Sequence, residues 1–268
     1  MTRSLELKPR QRIRRTLLLV SLLAFPVTLY YFSPALIIMA GIQGVINGSF
    51  VVFAAMFVLS PLLGRLFCGY LCPAGGLQDC VATITTARPR QGRRNYIKYG
   101  IWGVWITAVV LVYALIDGHP RLDVLYETEH GVSVMAPQSY IVYYGIVLLI
   151  VVPSLIGGRR TFCHYLCWMA PFMVLGTKLG RRLRVPGVRI LAAPDRCRAC
   201  ATCNSACPMG IDVRAAVQTG GIFDAECIQC GSCVDVCPAQ VLSYRMKGGT
   251  AGGQRTQTGL RDPRLVKP

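Results

Sequence analysis

Eight cysteines in the last third of the sequence have the spacing of iron–sulfur ligands. Two runs each contain three cysteines with two residues between neighbours and then, after three more residues, a Cys-Pro pair; they extend from Cys197 to Pro208 and from Cys227 to Pro238. This is the bacterial [4Fe–4S] spacing, in which the fourth cysteine of each run ligates the other cluster. The predicted ligand sets are Cys197, Cys200, Cys203 and Cys237 for the first cluster, and Cys207, Cys227, Cys230 and Cys233 for the second.

Zinc and disulfides explain this pattern less well. Structural zinc takes four ligands, usually as two pairs, and does not require the doubled run that ends in proline. Disulfides persist in oxidising compartments, and the orientation of the chain argues against such a location.

A second set of cysteines lies in an internal repeat. The segment Phe67-Cys68-Gly69-Tyr70-Leu71-Cys72 matches Phe162-Cys163-His164-Tyr165-Leu166-Cys167. In a helix, a C-x3-C spacing puts both sulfurs on one face. The four thiols are candidates for a redox-active or metal-binding site, but cysteine also packs well as a small buried hydrophobe. His164 is open to two interpretations, a proton donor and acceptor or a partly exposed surface histidine.

Composition indicates a membrane protein. Of the 268 residues, 53% are hydrophobic and only 15% charged, and the mean hydropathy is +0.46. The formal charge of +17 does not require a nucleic-acid partner, because the basic residues flank apolar segments. With only three histidines and no haem-attachment motif, a pair of transmembrane haems is not expected.

Four apolar stretches are each close to the ~20 residues that cross a bilayer. They cover residues 16–31, 45–63, 97–116 and 139–156. The segments on one side carry six, six and seven basic residues, whereas the two opposite loops carry none and one. The positive-inside rule therefore predicts a multi-pass protein of the inner membrane, with both termini and the cysteine-rich domain in the cytoplasm.

The predicted fold is an all-α membrane domain of four transmembrane helices in two repeated hairpins, followed by a small α+β domain resembling a ferredoxin with two [4Fe–4S] clusters. The predicted boundaries are a basic tail over 1–15, the membrane domain over 16–185, the cluster domain over 186–245 and a disordered tail over 246–268. The last tail contains too little apolar surface to fold.

Over residues 16–240 the sequence resembles the NapH/MauN group of membrane ferredoxins, with weaker similarity to the C-terminal part of NosR and to CcoG. The two C-x3-C motifs and the eight spaced cysteines carry this resemblance. The group's motif continues with proline, as at Pro73, but Trp168 stands at the equivalent position of the second copy. The resemblance implies membrane-bound electron transfer, with electrons taken from quinol and passed to a partner protein.

Three functions follow in order of preference. The first is an electron-transfer subunit of quinol-dehydrogenase type, in which the clusters relay electrons between a quinone and a partner redox protein. The second is a maturation factor that reduces copper or thiols during assembly of a metalloenzyme, for which Cys68, Cys72, Cys163 and Cys167 are essential. The third is a ferredoxin that the helices merely anchor to membrane lipid.

Overall fold

The computed structural model describes residues 8–85, 87–89, 92–116 and 119–247. The first seven residues of the basic tail, and the tail expected to be disordered from residue 248 onward, lie outside the described residues.

Ten helices make up the N-terminal part of the described chain. They are α1 (Pro9–Leu23), α2 (Phe25–Thr28), α3 (Pro34–Ile42), α4 (Gly48–Leu63), α5 (Leu66–Tyr70), α6 (Pro73–Val81), α7 (Ile97–Ala114), α8 (Pro137–Gly157), α9 (Thr161–Tyr165) and α10 (Ala170–Arg182). Short 3₁₀ turns at Leu29–Phe32 and Arg93–Tyr96 extend α2 and precede α7.

Among the described residues, two helical segments are long and apolar enough to cross a membrane, Arg93–Ala114 and Pro137–Gly157. A third span exists if α1 and the segment Phe25–Phe32 count as one, since a bend of 61° separates them. Pro26 lies at the start of α2, where its missing N–H interrupts the helical hydrogen bonds. The 16 residues of α4 rise about 24 Å, less than the ~30 Å of hydrocarbon. The prediction of four spans is therefore supported for two or three of them.

The sequence repeat is also a structural repeat. In each half, a long helix with an internal proline ends at a glycine whose backbone dihedrals are not helical, Gly64 or Gly158. A five-residue helix and then a longer helix follow. The long helix of each half packs on the last helix of the other, α4 on α10 and α8 on α6. This reciprocal packing brings the two C-x3-C motifs together.

The opposite ends of the helices are joined by a small parallel sheet. Strand β1 (Val45–Asn47) pairs with β2 (Arg121–Asp123). Helix α3 occupies most of the segment between the first two apolar stretches. Ser33 accepts a hydrogen bond from the backbone N–H of Leu36, and Pro34 fits the first helical turn, so the chain begins a new helix there.

The C-terminal domain has the expected α+β composition. A three-stranded antiparallel sheet has the order β4-β3-β5, and three short helices surround it. The strands are β3 (Gly187–Ala192), β4 (Gly221–Ile222) and β5 (Leu242–Lys247), and the helices are α11 (Thr202–Ala206), α12 (Val213–Gln218) and α13 (Ser232–Val236).

Candidate functional site

One set of four cysteines lines a buried cavity in the C-terminal domain next to the membrane helices. We call Cys207, Cys227, Cys230 and Cys233 the proximal tetrad. They surround a cavity together with apolar side chains such as Met209 and Ile228. Cys207 lines this cavity with the second run rather than with its own run.

The other four cysteines line a second cavity. We call Cys197, Cys200, Cys203 and Cys237 the distal tetrad. Cys200 is exposed and the other three are partly buried. Three arginines near this cavity are also exposed: Arg196, Arg198 and Arg214.

Both tetrads suit an iron–sulfur cluster better than a single ion. Four thiolates around one zinc ion lie only about 3.8 Å apart, as follows from a Zn–S bond of ~2.3 Å. The part of the chain that the structure describes contains no group of three or more Cys, His, Asp or Glu side chains able to hold one metal ion. The sulfurs also receive hydrogen bonds, including one of 3.4 Å from the Val241 N–H to the Cys237 Sγ. The individual ligand assignments remain predictions.

The two C-x3-C motifs form one buried cluster, which we call the four-thiol site: Cys68, Cys72, Cys163 and Cys167. Each thiol is between 2% and 5% exposed, and each acts electrostatically on the other three. The two motifs close in the same way, since the N–H groups of Leu71 and Cys72 both donate to the Phe67 carbonyl and those of Leu166 and Cys167 to the Phe162 carbonyl.

A buried amide contacts this cluster. The Gln78 side chain donates to the Cys163 Sγ at 2.9 Å, and the backbone at Gly75 and Ala170 acts to lower the pKa of Cys72 and Cys167. Burial raises the pKa of Cys72 well above its usual range and that of Cys167 to about 12, and the neighbouring thiols add to both effects. Cys80, which the repeat leaves without a counterpart, is exposed.

The proximal tetrad rests directly on the first C-x3-C motif. A Cβ atom at Gly69 would lie 2.3 Å from the Ile228 carbonyl oxygen, so only glycine allows this approach. Helix α1 bonds to both contacting segments. Gln11 donates to the Cys230 carbonyl at 3.0 Å, and Arg14 donates to the Gly69 carbonyl at 2.9 Å. The four-thiol site and the proximal tetrad are thus joined by backbone contact.

A buried carboxylate ties the two domains together beside this contact. Glu226 immediately precedes Cys227 and bonds to Arg65 at 2.6 Å, Lys98 at 2.7 Å and Tyr99 at 3.1 Å. Arg65 and Lys98 are 0% exposed. Burial acts to raise the pKa of Glu226, but attraction by Arg65 and Lys98, with hydrogen bonds from Lys98 and Tyr99, lowers it to about 2.

The second half of the repeat has an equivalent ion cluster. Arg160 occupies the same position before its motif as Arg65, and it pairs with Asp79 at 2.8 Å. Arg14 pairs with the other oxygen of Asp79. Arg160 also donates to the Cys68 carbonyl at 3.0 Å. Arg65 acts electrostatically on Cys68, Cys163 and Cys167, and Arg160 on Cys163 and Cys72, so the two arginines face all four thiols.

Sequence reasoning missed Glu226 and Asp79. Their signal was their scarcity: the chain has 12 acidic residues against 29 basic ones, and both lie on the strongly basic side. The interpretation of His164 as a surface residue is wrong, because its ring is fully buried and neither nitrogen has a hydrogen-bond partner among the described residues. Burial, and the charges of Lys98 and Arg65, lower the pKa of His164 to about 4.

An open apolar cavity lies among α3, α4, α7 and α10, with about 1090 Å³ of space. Aromatic rings line it, among them Phe53, Trp102, Trp105 and Phe172. The Trp102 Nε1–H lacks a hydrogen-bond partner among the described residues. Met173, next to Phe172 on α10, brings its sulfur to 3.9 Å from the Cys68 Sγ.

Family models match both parts of the chain. A model described as a 4Fe-4S binding domain matches residues 48–91 and 141–186, one C-x3-C motif in each, and a model described as a 4Fe-4S dicluster domain matches residues 189–239. The fold, the cysteine-lined cavities and these matches together define an iron–sulfur protein of the membrane.

Known relatives narrow this class. The chain is 25% identical to the ferredoxin-type protein NapH of Haemophilus influenzae over 74% of its length and 69% of the relative. It is 27% identical to NapH of Escherichia coli K12 over 69% of its length and 64% of the relative. It is 25% identical to protein RdxA of Cereibacter sphaeroides over 78% of its length and 45% of the relative. No solved structure matches the chain. These relatives and the family models support its assignment to a NapH-type membrane ferredoxin family, a group of electron-transfer proteins.

Proposed function

We propose that this chain carries electrons between a membrane quinone and a partner redox protein, as the electron-transfer subunit of a quinol-dehydrogenase system in the inner membrane. One observation carries the proposal: the proximal tetrad contacts the C-x3-C motif through Ile228 and Gly69, whereas Cys200 of the distal tetrad is exposed. Such an arrangement has one end at the membrane helices and the other open to a soluble partner.

The two tetrads are the proposed ligand sets of two [4Fe–4S] clusters. Such clusters, when bound, supply one-electron chemistry, which the surrounding protein tunes through burial and hydrogen bonds. The chain keeps water from the proximal thiols with Met209, Ile211 and Ile228, which are at most 6% exposed. It fixes their loop through Gln11 and Glu226.

The apolar cavity supports a quinone site. A quinone ring is flat and largely apolar, and the cavity offers it several aromatic faces. From the cavity, Phe172 and Met173 lead to the four-thiol site, whose cysteines we propose as redox or metal-binding thiols.

The basic flanks of the apolar helices support a cytoplasmic position for both termini and for the cluster domain. The arginines around the distal tetrad favour a partner with an acidic docking surface, since complementary charges speed encounter.

The test is reduction of the purified full chain in lipid nanodiscs by a short-chain quinol under anaerobic conditions. Loss of the visible absorption of the oxidised clusters within seconds, to the extent that dithionite achieves, supports the proposal. Clusters that dithionite reduces but quinols of several potentials leave oxidised would refute it.

A further inference from the structure

A basic cavity lies where the first membrane helix meets the ferredoxin-like domain. Its volume of about 470 Å³ is in the usual range for small-ligand sites. Arg15 on α1, Cys80 on α6 and Arg159 after α8 line it together with Pro208 and Ser232 of the C-terminal domain. Both parts of the chain thus contribute to one cavity, which we call the basic cavity.

The positive charge of the basic cavity is not neutralised by the described residues. Its acidic residue, Asp79, already pairs with Arg14 through one carboxylate oxygen and with Arg160 through the other. Arg15 is exposed and forms no ion pair in the described parts of the chain. The Arg159 Nε–H is buried and has no hydrogen-bond partner there. Two guanidinium groups are therefore available to an anion, and phosphate oxygens match their donor geometry.

Helix α1 continues from the basic cavity as an apolar stripe. Arg15, Leu19 and Leu23 follow one another at intervals of four residues and so share one face of the helix. Leu19 lines the cavity, and both leucines are exposed. On α8, which is long and apolar enough to cross a membrane, the exposed Ile156 lies three residues before Arg159. The two arginines thus lie at the polar ends of helices whose exposed apolar side chains would face lipid.

These features favour an amphiphilic anion. Nucleotide bases stack on aromatic rings, but the described lining of this cavity contains none. Basic pockets beside membrane helices bind the headgroups of anionic lipids. We propose that the basic cavity binds an anionic phospholipid, whose phosphate contacts Arg15 and Arg159 and whose acyl chains lie along Leu19 and Leu23.

The bound lipid also holds the C-terminal domain against the membrane. Pro208 and Ser232, which line the basic cavity, are next in sequence to Cys207 and Cys233 of the proximal tetrad. The headgroup therefore lies between α1 and the loops that carry these cysteines. The proposal does not depend on quinone binding or on the direction of electron flow.

Native mass spectrometry of the full chain, purified in detergent and stripped of lipid, tests the proposal. Phosphatidylglycerol and phosphatidylcholine with identical acyl chains are titrated separately. One phosphatidylglycerol molecule should bind about thirtyfold more tightly than phosphatidylcholine, because each arginine near an anionic headgroup contributes about fivefold. The double variant R15Q/R159Q should lose this preference. The matched control R93Q/R94Q removes two exposed positive charges outside the cavity and should keep it.

Equal affinities for the two lipids in the unaltered chain would overturn the proposal, whether or not any variant folds. An equal loss of preference in both double variants would also overturn it, because it would indicate general attraction between charges. Soluble glycerol phosphate in large excess should not displace the lipid, and displacement would show a site for free phosphate instead. If R15Q/R159Q does not fold, R15Q alone changes an exposed side chain and should lower the preference about fivefold.

Discussion

Glu226 should be the strongest single link between the two domains. Replacing it by glutamine keeps the size of the side chain but leaves Arg65 and Lys98, both 0% exposed, without an anionic partner. The lowering of the Glu226 pKa from 4.5 to about 2 corresponds to about 3 kcal/mol in favour of the ionised form. Breaking one partner of a buried ion pair typically costs about 3–5 kcal/mol, which agrees.

A loss of this size predicts that E226Q melts about 6–12 °C below the unaltered protein, at ~2–4 °C per kcal/mol for chains of this size. The assay is differential scanning fluorimetry of the cluster-loaded protein in detergent at pH 7, at one fixed scan rate because the melting temperature of an irreversibly unfolding protein depends on that rate. The Glu129→Gln variant is the matched control, because Glu129 is exposed and forms no ion pair among the described residues; such surface carboxylates contribute less than about 1 kcal/mol.

The pH dependence gives a second readout of the same residue. Because the pKa of Glu226 is lower in the folded protein than in the unfolded chain, its stabilisation is complete above about pH 4.5 and is lost as the pH falls towards 2. The difference between E226Q and the unaltered protein should therefore stay constant from pH 8 to pH 5. Equal melting temperatures for E226Q and E129Q at pH 7 would refute the reasoning.

Three further variants test the neighbouring contacts. G69A should slow quinol-driven reduction severalfold while dithionite still reduces the clusters, because the new Cβ displaces the Ile228 carbonyl. The control G103A, whose Cβ meets nothing within 4 Å, should react normally. Equal reduction rates for G69A and G103A would contradict this prediction. W102A should raise the KM for quinol about tenfold with little change in kcat, because it removes an aromatic wall of the apolar cavity; an unchanged KM would exclude quinone binding in this cavity. D79N should lower the melting temperature less than E226Q does, because the Asp79 side chain is 23% exposed; an equal or larger drop would count against the burial argument.

The cysteine spacing gave predictions only for parts of the site that are close together in sequence. The first three cysteines of a run lie within seven residues and line one cavity, and the same spacing rule expects the fourth cysteine, such as Cys207, at the other cavity. The repeat around Cys68 and Cys163 was likewise detectable as sequence identity between the two segments. One family model matches each copy separately.

Tertiary contacts were not readable in this way. Arg65 and Glu226 are 161 residues apart, and nothing in either local sequence identifies the other as its partner. The arginines beside the motifs look like membrane anchors, yet Arg65 and Arg160 are fully buried. Hydropathy also did not predict the number of spans. It shows that residues 16–31 are apolar, but it does not show that the helix bends at Pro26.

The most direct test of the central claim, that electrons meet the ferredoxin-like domain at its proximal tetrad, is freeze-quench electron paramagnetic resonance after quinol is mixed with two variants. C200A removes a ligand of the distal tetrad, and C230A removes a ligand of the proximal one. We predict that in C200A the proximal cluster signal still appears with quinol, whereas in C230A the distal cluster stays oxidised although dithionite reduces it. Rapid quinol reduction of the distal cluster in C230A would contradict the account.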